Sequence, residues 1–173
     1  MTPTVGRVVS IYVAPAGGSP MQQRREALAV PRRGLKGDRY FDGGGAFSRA
    51  APGREITEVT LIEAEVIEQL RHDCGVDVDA ADSRRNIVTR GIALNELVGS
   101  EFSVGEVRLH GASLCEPCIS LVKTNGNRHL LRGLAHKGGL RARILTRGVV
   151  AIGDVVAPAQ LAPIANGASD SRR

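Results

Sequence analysis

Glu101-Phe-Ser-Val-Gly-Glu-Val-Arg-Leu-His110 is the stretch on which the fold class turns. Two short runs rich in apolar and β-branched residues, 101–104 and 106–110, meet at Gly105. Neither is long enough for a helix, and both read as strands hinged at Gly105. The same pattern recurs outward in both directions. Downstream, residues 140–145 read as a strand, and 149–156 as a strand broken at Gly153-Asp154. Upstream, residues 5–13, 27–30, 58–62 and 86–89 have strand character, with glycine- and proline-rich turns between them. One segment departs from the pattern. In residues 63–74, Ala64, Ile67 and Leu70 fall on one helical face, acidic residues crowd the first turn, and Gly75 supplies the stop. Residues 93–97 and 119–123 read as short helical turns.

Composition supports the same class. Glycine is abundant at 21 residues and aromatics make up only 3%, so the core must be aliphatic and the turns tight. The expectation is a mainly β, β-rich α+β fold with one or two helices, closed as a barrel or folded sheet. A single domain is expected over 1–157, with a tail at 158–173 that carries no pattern and no fixed structure. Residues 41–54, containing Gly43-Gly44-Gly45 and Pro52-Gly53, read as a surface loop. No apolar run approaches the ~18 residues of a membrane span. Residues 1–20 lack a basic head followed by an apolar stretch, so the expected location is cytoplasmic. Three cysteines make no disulfide framework, and Cys74, beside Gly75, reads as structural.

Charge is unevenly placed. Residues 1–118 hold 14 basic and 16 acidic side chains, 119–153 hold 7 basic and no acidic ones, and 154–173 hold 2 of each. The excess of +5 therefore resides in Lys123, Arg128, Arg132, Lys137, Arg141, Arg143 and Arg147, accompanied by His129 and His136. Such a cluster either attracts a polyanion or is a solvated face. Nucleic acid is disfavoured as partner, because two Tyr, three Phe and no Trp offer almost no stacking surface.

Cys115-Glu-Pro-Cys118 is the sharpest local motif. It admits four readings: a dithiol redox pair, half of a zinc site, a single nucleophilic or metal-binding thiolate, or two small buried residues. No βαβ pattern surrounds it and no second paired ligand motif exists, which weakens the first two. The basic segment downstream, folded back over the motif, would stabilise a thiolate. Lys137-Gly-Gly-Leu-Arg-Ala-Arg143 combines a glycine turn with Arg141 and Arg143, two apart on one strand face, a good phosphate site. Arg84, Arg85, Asn86 and Arg90 bracket a short strand and could add donors to the same anion. Gly37-Asp38-Arg39 could be only a tight turn.

Taken in order, Gly34-Leu-Lys-Gly-Asp-Arg39, Glu58-Val-Thr-Leu-Ile-Glu63, Arg84-Arg-Asn-Ile-Val-Thr-Arg90, Leu97-Val-Gly99, Phe102-Ser-Val-Gly-Glu-Val107, Cys115-Glu-Pro-Cys118, Lys137-Gly-Gly-Leu-Arg-Ala-Arg143 and Val150-Ala-Ile-Gly-Asp-Val155 resemble the MOSC domain, the C-terminal module of molybdenum cofactor sulfurases. The resemblance runs from about Val5 to Val156 and implies a stand-alone member with a barrel-like β fold. It places the family's characteristic cysteine, the molybdenum ligand in the mitochondrial amidoxime-reducing members, at Cys118. It implies that Arg84, Asn86, Arg90, Lys137, Arg141 and Arg143 help hold molybdopterin and its phosphate.

Two activities follow from the resemblance and remain open here. One is a molybdenum-dependent oxidoreductase acting on N-hydroxylated small molecules. No iron–sulfur or flavin module is recognisable, so its electrons would come from a separate donor protein. The other is a sulfur carrier, with a persulfide on Cys118 supplied by a cysteine desulfurase partner. Pyridoxal phosphate would belong to that partner alone. No membrane partner is expected.

Overall fold

In the computed structural model, which describes residues 4–45, 56–75 and 77–159, the short apolar runs become strands. They are β1 (Gly6–Val13), β2 (Gln22–Arg24), β3 (Glu26–Val30), β4 (Gly34–Leu35), β5 (Val59–Glu63), β6 (Ile87–Arg90), β7 (Glu101–Val104), β8 (Val107–Leu114), β9 (Leu140–Ile144), β10 (Gly148–Ala151) and β11 (Val155–Pro158). Three helices interrupt them: α1 (Ala64–Cys74), α2 (Ile119–Asn125) and α3 (His129–Gly133). Single 3-10 turns occupy Ala80–Ser83 and Leu94–Leu97.

Seven strands close on themselves in the order β11-β7-β8-β9-β5-β6-β1. Closure comes from β1 returning to β11, with Gly6 opposite Val156 and Arg7 opposite Val155. Neighbours are antiparallel except β5 and β6, which run parallel. A parallel pair cannot be joined by a hairpin, and α1 lies on the crossover between them. β2 hangs from β1, while β10, β3 and β4 form a separate three-stranded sheet. The expected β-rich barrel is thus the observed class, with α3 beyond the helices expected.

Two aliphatic cores follow from strand alternation. Val8, Leu61, Ile87, Phe102, Leu109, Leu140 and Ile144 fill the barrel. Outward-facing Tyr12, Ile62 and Val88 meet Ile67 and Leu70 of α1, Leu121 of α2, and Leu130 and Leu134 at α3. The second core clamps all three helices against one side of the barrel. α1 ends as its sequence predicts: Gly75 adopts φ 59° and its N–H donates to Arg71 O at 3.0 Å.

β2 and β4 were not expected, since two- and three-residue strands carry too little alternation to separate from turns. No helix is long and apolar enough to cross a membrane among the described residues. The tail from residue 160, residues 46–55 of the expected surface loop, and the Cys74 side chain lie outside the described residues.

Candidate functional site

A cavity of about 170 Å³ opens on the outer wall of the barrel beside α2. Its floor comes from two adjacent strands. Val59, Leu61, Leu140 and Ala142 face the interior, so Thr60 on β5 and Arg141 on β9 must face out, and they stand opposite each other in register. The rim brings in Gly17 and Gly18 from the first loop, Arg39 and Tyr40 from the turn after β4, Arg84 and Arg85 before β6, and Cys115, Glu116 and Cys118 after β8.

The cysteine motif reaches this rim because a buried guanidinium ties it there. Arg85 is only 7% exposed. Its Nε donates to Gly138 O at 2.8 Å, Nη1 to Ser83 O at 2.9 Å and Nη2 to Cys115 O at 2.9 Å. The Cys115 N–H donates to Gly139 O at 2.7 Å. The two glycines permit this approach. A Cβ on Gly138 would lie 2.2 Å from Cys115 O, and one on Gly139, at φ 98°, would lie 1.9 Å from Leu61 O. The motif and the Gly138-Gly139 turn are therefore one packed unit. Cys115 is buried and Cys118 is exposed. The backbone passes between them without a turn.

Arg39 and Arg84 supply the opposite wall. Asp38 is buried, and its Oδ1 accepts from Ala14 N at 2.9 Å and Arg39 Nη1 at 3.1 Å, while Oδ2 accepts from Tyr40 N at 3.2 Å. Arg39 Nη2 then donates to Arg84 O at 3.3 Å. Arg84 sits in the left-handed region at φ 59°, and its Nη1 donates to Ser19 O at 2.8 Å. Its Nη2 is buried and has no hydrogen-bond partner among the described residues. Burial, helped by the neighbouring Arg39, lowers the pKa of Arg84 from its ordinary value. A desolvated cation with a vacant donor is a receptor for an anion. Four guanidiniums (Arg39, Arg84, Arg85 and Arg141) line the cavity against one carboxylate, Glu116. That carboxylate is engaged by His136, whose backbone N–H donates at 2.9 Å and whose Nδ1 lies at 3.2 Å.

Of the residues expected at the site, Cys118, Arg84 and Arg141 line this cavity. Asn86, Arg90, Lys137 and Arg143 do not. Asn86 is fully buried and holds strands together: Oδ1 accepts from Thr60 N at 3.1 Å and Oγ1 at 3.0 Å, and Nδ2 donates to Tyr12 O at 3.1 Å. Arg90 is exposed and pairs with Glu68 of α1. Lys137 lines a separate groove with Glu65, Asp73 and Gly133. Arg143 is exposed on β9 opposite His110, a residue pair further along the strand than Arg141. The acid-free segment therefore sends only Arg141 into the cavity. Its other cations are exposed on the surface, and the cavity's remaining guanidiniums, Arg39, Arg84 and Arg85, come from the half of the chain with no charge excess. Arg39 was missed, as was its neighbour Tyr40. The turn at Arg39 reads as mere punctuation, and only that residue's place in the ordered motifs signalled more.

Among the described residues, no three His, Cys, Asp or Glu side chains gather as a metal site. A family profile described as the MOSC domain matches residues 51–157. No curated protein matches the chain. Solved structures similar to it include the YuaD protein from Bacillus subtilis, at 18% identity and TM-score 0.72, covering 88% of this chain and 94% of that one. YiiM from Geobacillus stearothermophilus is similar at 15% identity and TM-score 0.67, covering 88% and 74%. YiiM from Escherichia coli is similar at 16% identity and TM-score 0.59, covering 88% and 69%. At these identities the likeness is one of fold.

Proposed function

Because this chain belongs to the MOSC domain family, we propose that its cavity holds the molybdenum cofactor, with Cys118 as the protein's ligand to the metal. The observation that carries this reading is the exposed Cys118 thiol in the same cavity as a set of guanidiniums, one of which keeps a buried donor vacant. The donor set suits the group. A soft thiolate matches molybdenum, and guanidiniums match a phosphate. A site with one protein ligand needs no cluster of His, Cys, Asp or Glu, since the cofactor's dithiolene brings its own sulfurs.

When bound, the cofactor would supply a redox centre able to take an oxygen atom from an N-hydroxylated small molecule, with electrons from a separate donor protein. The chain's own residues do the rest. Arg39 and Arg84 would neutralise the phosphate and Arg141 on the floor would add a further donor, while Arg85 holds the backbone that presents Cys118. Elemental analysis of protein purified from a host that makes the cofactor tests this. Molybdenum and pterin are expected together, with the metal lost in Cys118→Ala. Metal-free protein from such a host overturns the proposal.

A second reading, persulfide carriage on Cys118, draws on Cys115 lying in the same cavity wall. A cysteine desulfurase would donate the sulfur, and thiol exchange would release it. Mass spectrometry after incubation with a desulfurase should then show one added sulfur, absent in Cys118→Ser. Because the backbone between the cysteines is unturned, release through Cys115 would require that segment to bend.

A further inference from the structure

Tyr40 is one of two tyrosines in a chain without tryptophan. It follows Asp38 and Arg39 in the turn that forms the arginine wall. Its N–H is held by Asp38 Oδ2 at 3.2 Å, and the Arg39 guanidinium lies over its ring, 4.8 Å from the centroid. The backbone and one ring face are thereby fixed. The residue is 8% exposed and forms part of the cavity wall. Buried tyrosine hydroxyls normally find an acceptor. The Tyr40 hydroxyl has none among the described residues. The Asp38 oxygens are taken by Ala14, Arg39 and the Tyr40 backbone. The neighbouring guanidiniums of Arg39 and Arg85 can only donate. With no acceptor among the described residues, the phenol can donate to what fills the cavity, water or a bound ligand. Burial raises the phenol's pKa above its ordinary 10.0, so at neutral pH the group is a donor.

We propose that Tyr40 is a ligand-binding residue of this cavity, its phenol donating a hydrogen bond to the oxyanion gripped by Arg39 and Arg84. The inference rests on reading the cavity as an oxyanion site and adds a neutral donor to its cations. The guanidiniums and the phenol donate to the ligand's oxygens, and the cations hold a dianion more tightly than a monoanion, so affinity for phosphate should rise with pH through its second pKa of about 6.

The chain supplies its own reporter. In a Tyr12→Phe background, Tyr40 is the sole intrinsic fluorophore. Titration with inorganic phosphate, and in a second arm with glycerol phosphate, should change its emission saturably. Tighter binding of the monoester would assign the phosphate to a larger ligand; tighter binding of inorganic phosphate would assign it to the free ion. Tyr40 serves as donor in either case. Calorimetry on Tyr40→Phe, in the otherwise unaltered chain, should show affinity for the same anion weakened about tenfold, one hydrogen bond to a charged acceptor. Equal affinity in Tyr40→Phe and the parent overturns the role of Tyr40 and leaves the oxyanion site standing. Failure of the parent to bind either anion overturns both.

Discussion

Replacing Arg85 by Met tests whether this guanidinium seats the cysteine motif. The Arg85 guanidinium makes three bonds of 2.8, 2.9 and 2.9 Å to the carbonyls of Gly138, Ser83 and Cys115. Methionine keeps most of the volume and makes none of them. Hydrogen bonds from a charged donor contribute about 1.5 kcal/mol or more each, and the loss leaves buried carbonyls unmatched. Against that, the variant no longer buries a cation, which returns part of the desolvation cost. The net expectation is a destabilisation of about 3 kcal/mol. For a domain of this size that corresponds to a midpoint lower by roughly 6–12 °C. A second readout separates site from scaffold. In a Cys74→Ser background, native thiol titration should find Cys118 reacting quickly and buried Cys115 slowly. Arg85→Met should bring Cys115 toward the fast class, because the bonds that seat it are gone. A variant melting within a degree of the parent, with Cys115 still protected, would refute the idea that Arg85 seats the motif.

Other perturbations follow from the same geometry. Arg84→Ala should weaken phosphate binding by more than tenfold in calorimetry, whereas Arg90→Ala, which loses only an exposed pair with Glu68, should stay within about twofold. Gly139→Ala forces a Cβ to 1.9 Å from Leu61 O at a φ of 98°, and should cost about 3 kcal/mol or more in urea unfolding. Glu58 is buried and accepts from the N–H groups of Arg32 and Ile144, yet desolvation still raises its pKa above the ordinary 4.5. The folded protein keeps that proton where the unfolded chain has released it. Its contribution to stability is therefore whole below pH 4.5 and is lost as pH rises through the folded pKa. Glu58→Gln should flatten this decline in urea midpoints measured across the acid range, at the cost of one mismatched N–H acceptor at every pH.

The strands that alternate over four or more residues were legible, because period-two burial is a sequence property: Val107, Leu109 and Gly111 in, Arg108 out. α1 was legible from Ala64, Ile67 and Leu70 and the glycine that ends it. α3 was not, since five residues are too few for a helical period to show. At the site, chemistry picked out Cys118, Arg84 and Arg141, but it could not say which end of a strand the cavity occupies. Arg143 shares the face of Arg141 and lies beyond its reach. Asn86 looked like a donor for a ligand, yet full burial commits it to Thr60 and Tyr12. Arg39 escaped notice because a Gly-Asp-Arg turn carries the same letters whether it only reverses the chain or, as here, uses the aspartate to aim the arginine.

The pairing of β1 with β11 sets a schedule for synthesis. Until residue 158 leaves the ribosome, the nascent barrel lacks the strand that joins its first edge to β7, and both edges keep a row of unpaired amides and carbonyls. Folding can condense around the helix-clamped side earlier, but the ring shuts only after the final strand emerges. A ribosome stalled before Val155 should therefore hold an open, adhesive sheet, and a chaperone that shields strand edges has its longest opportunity there.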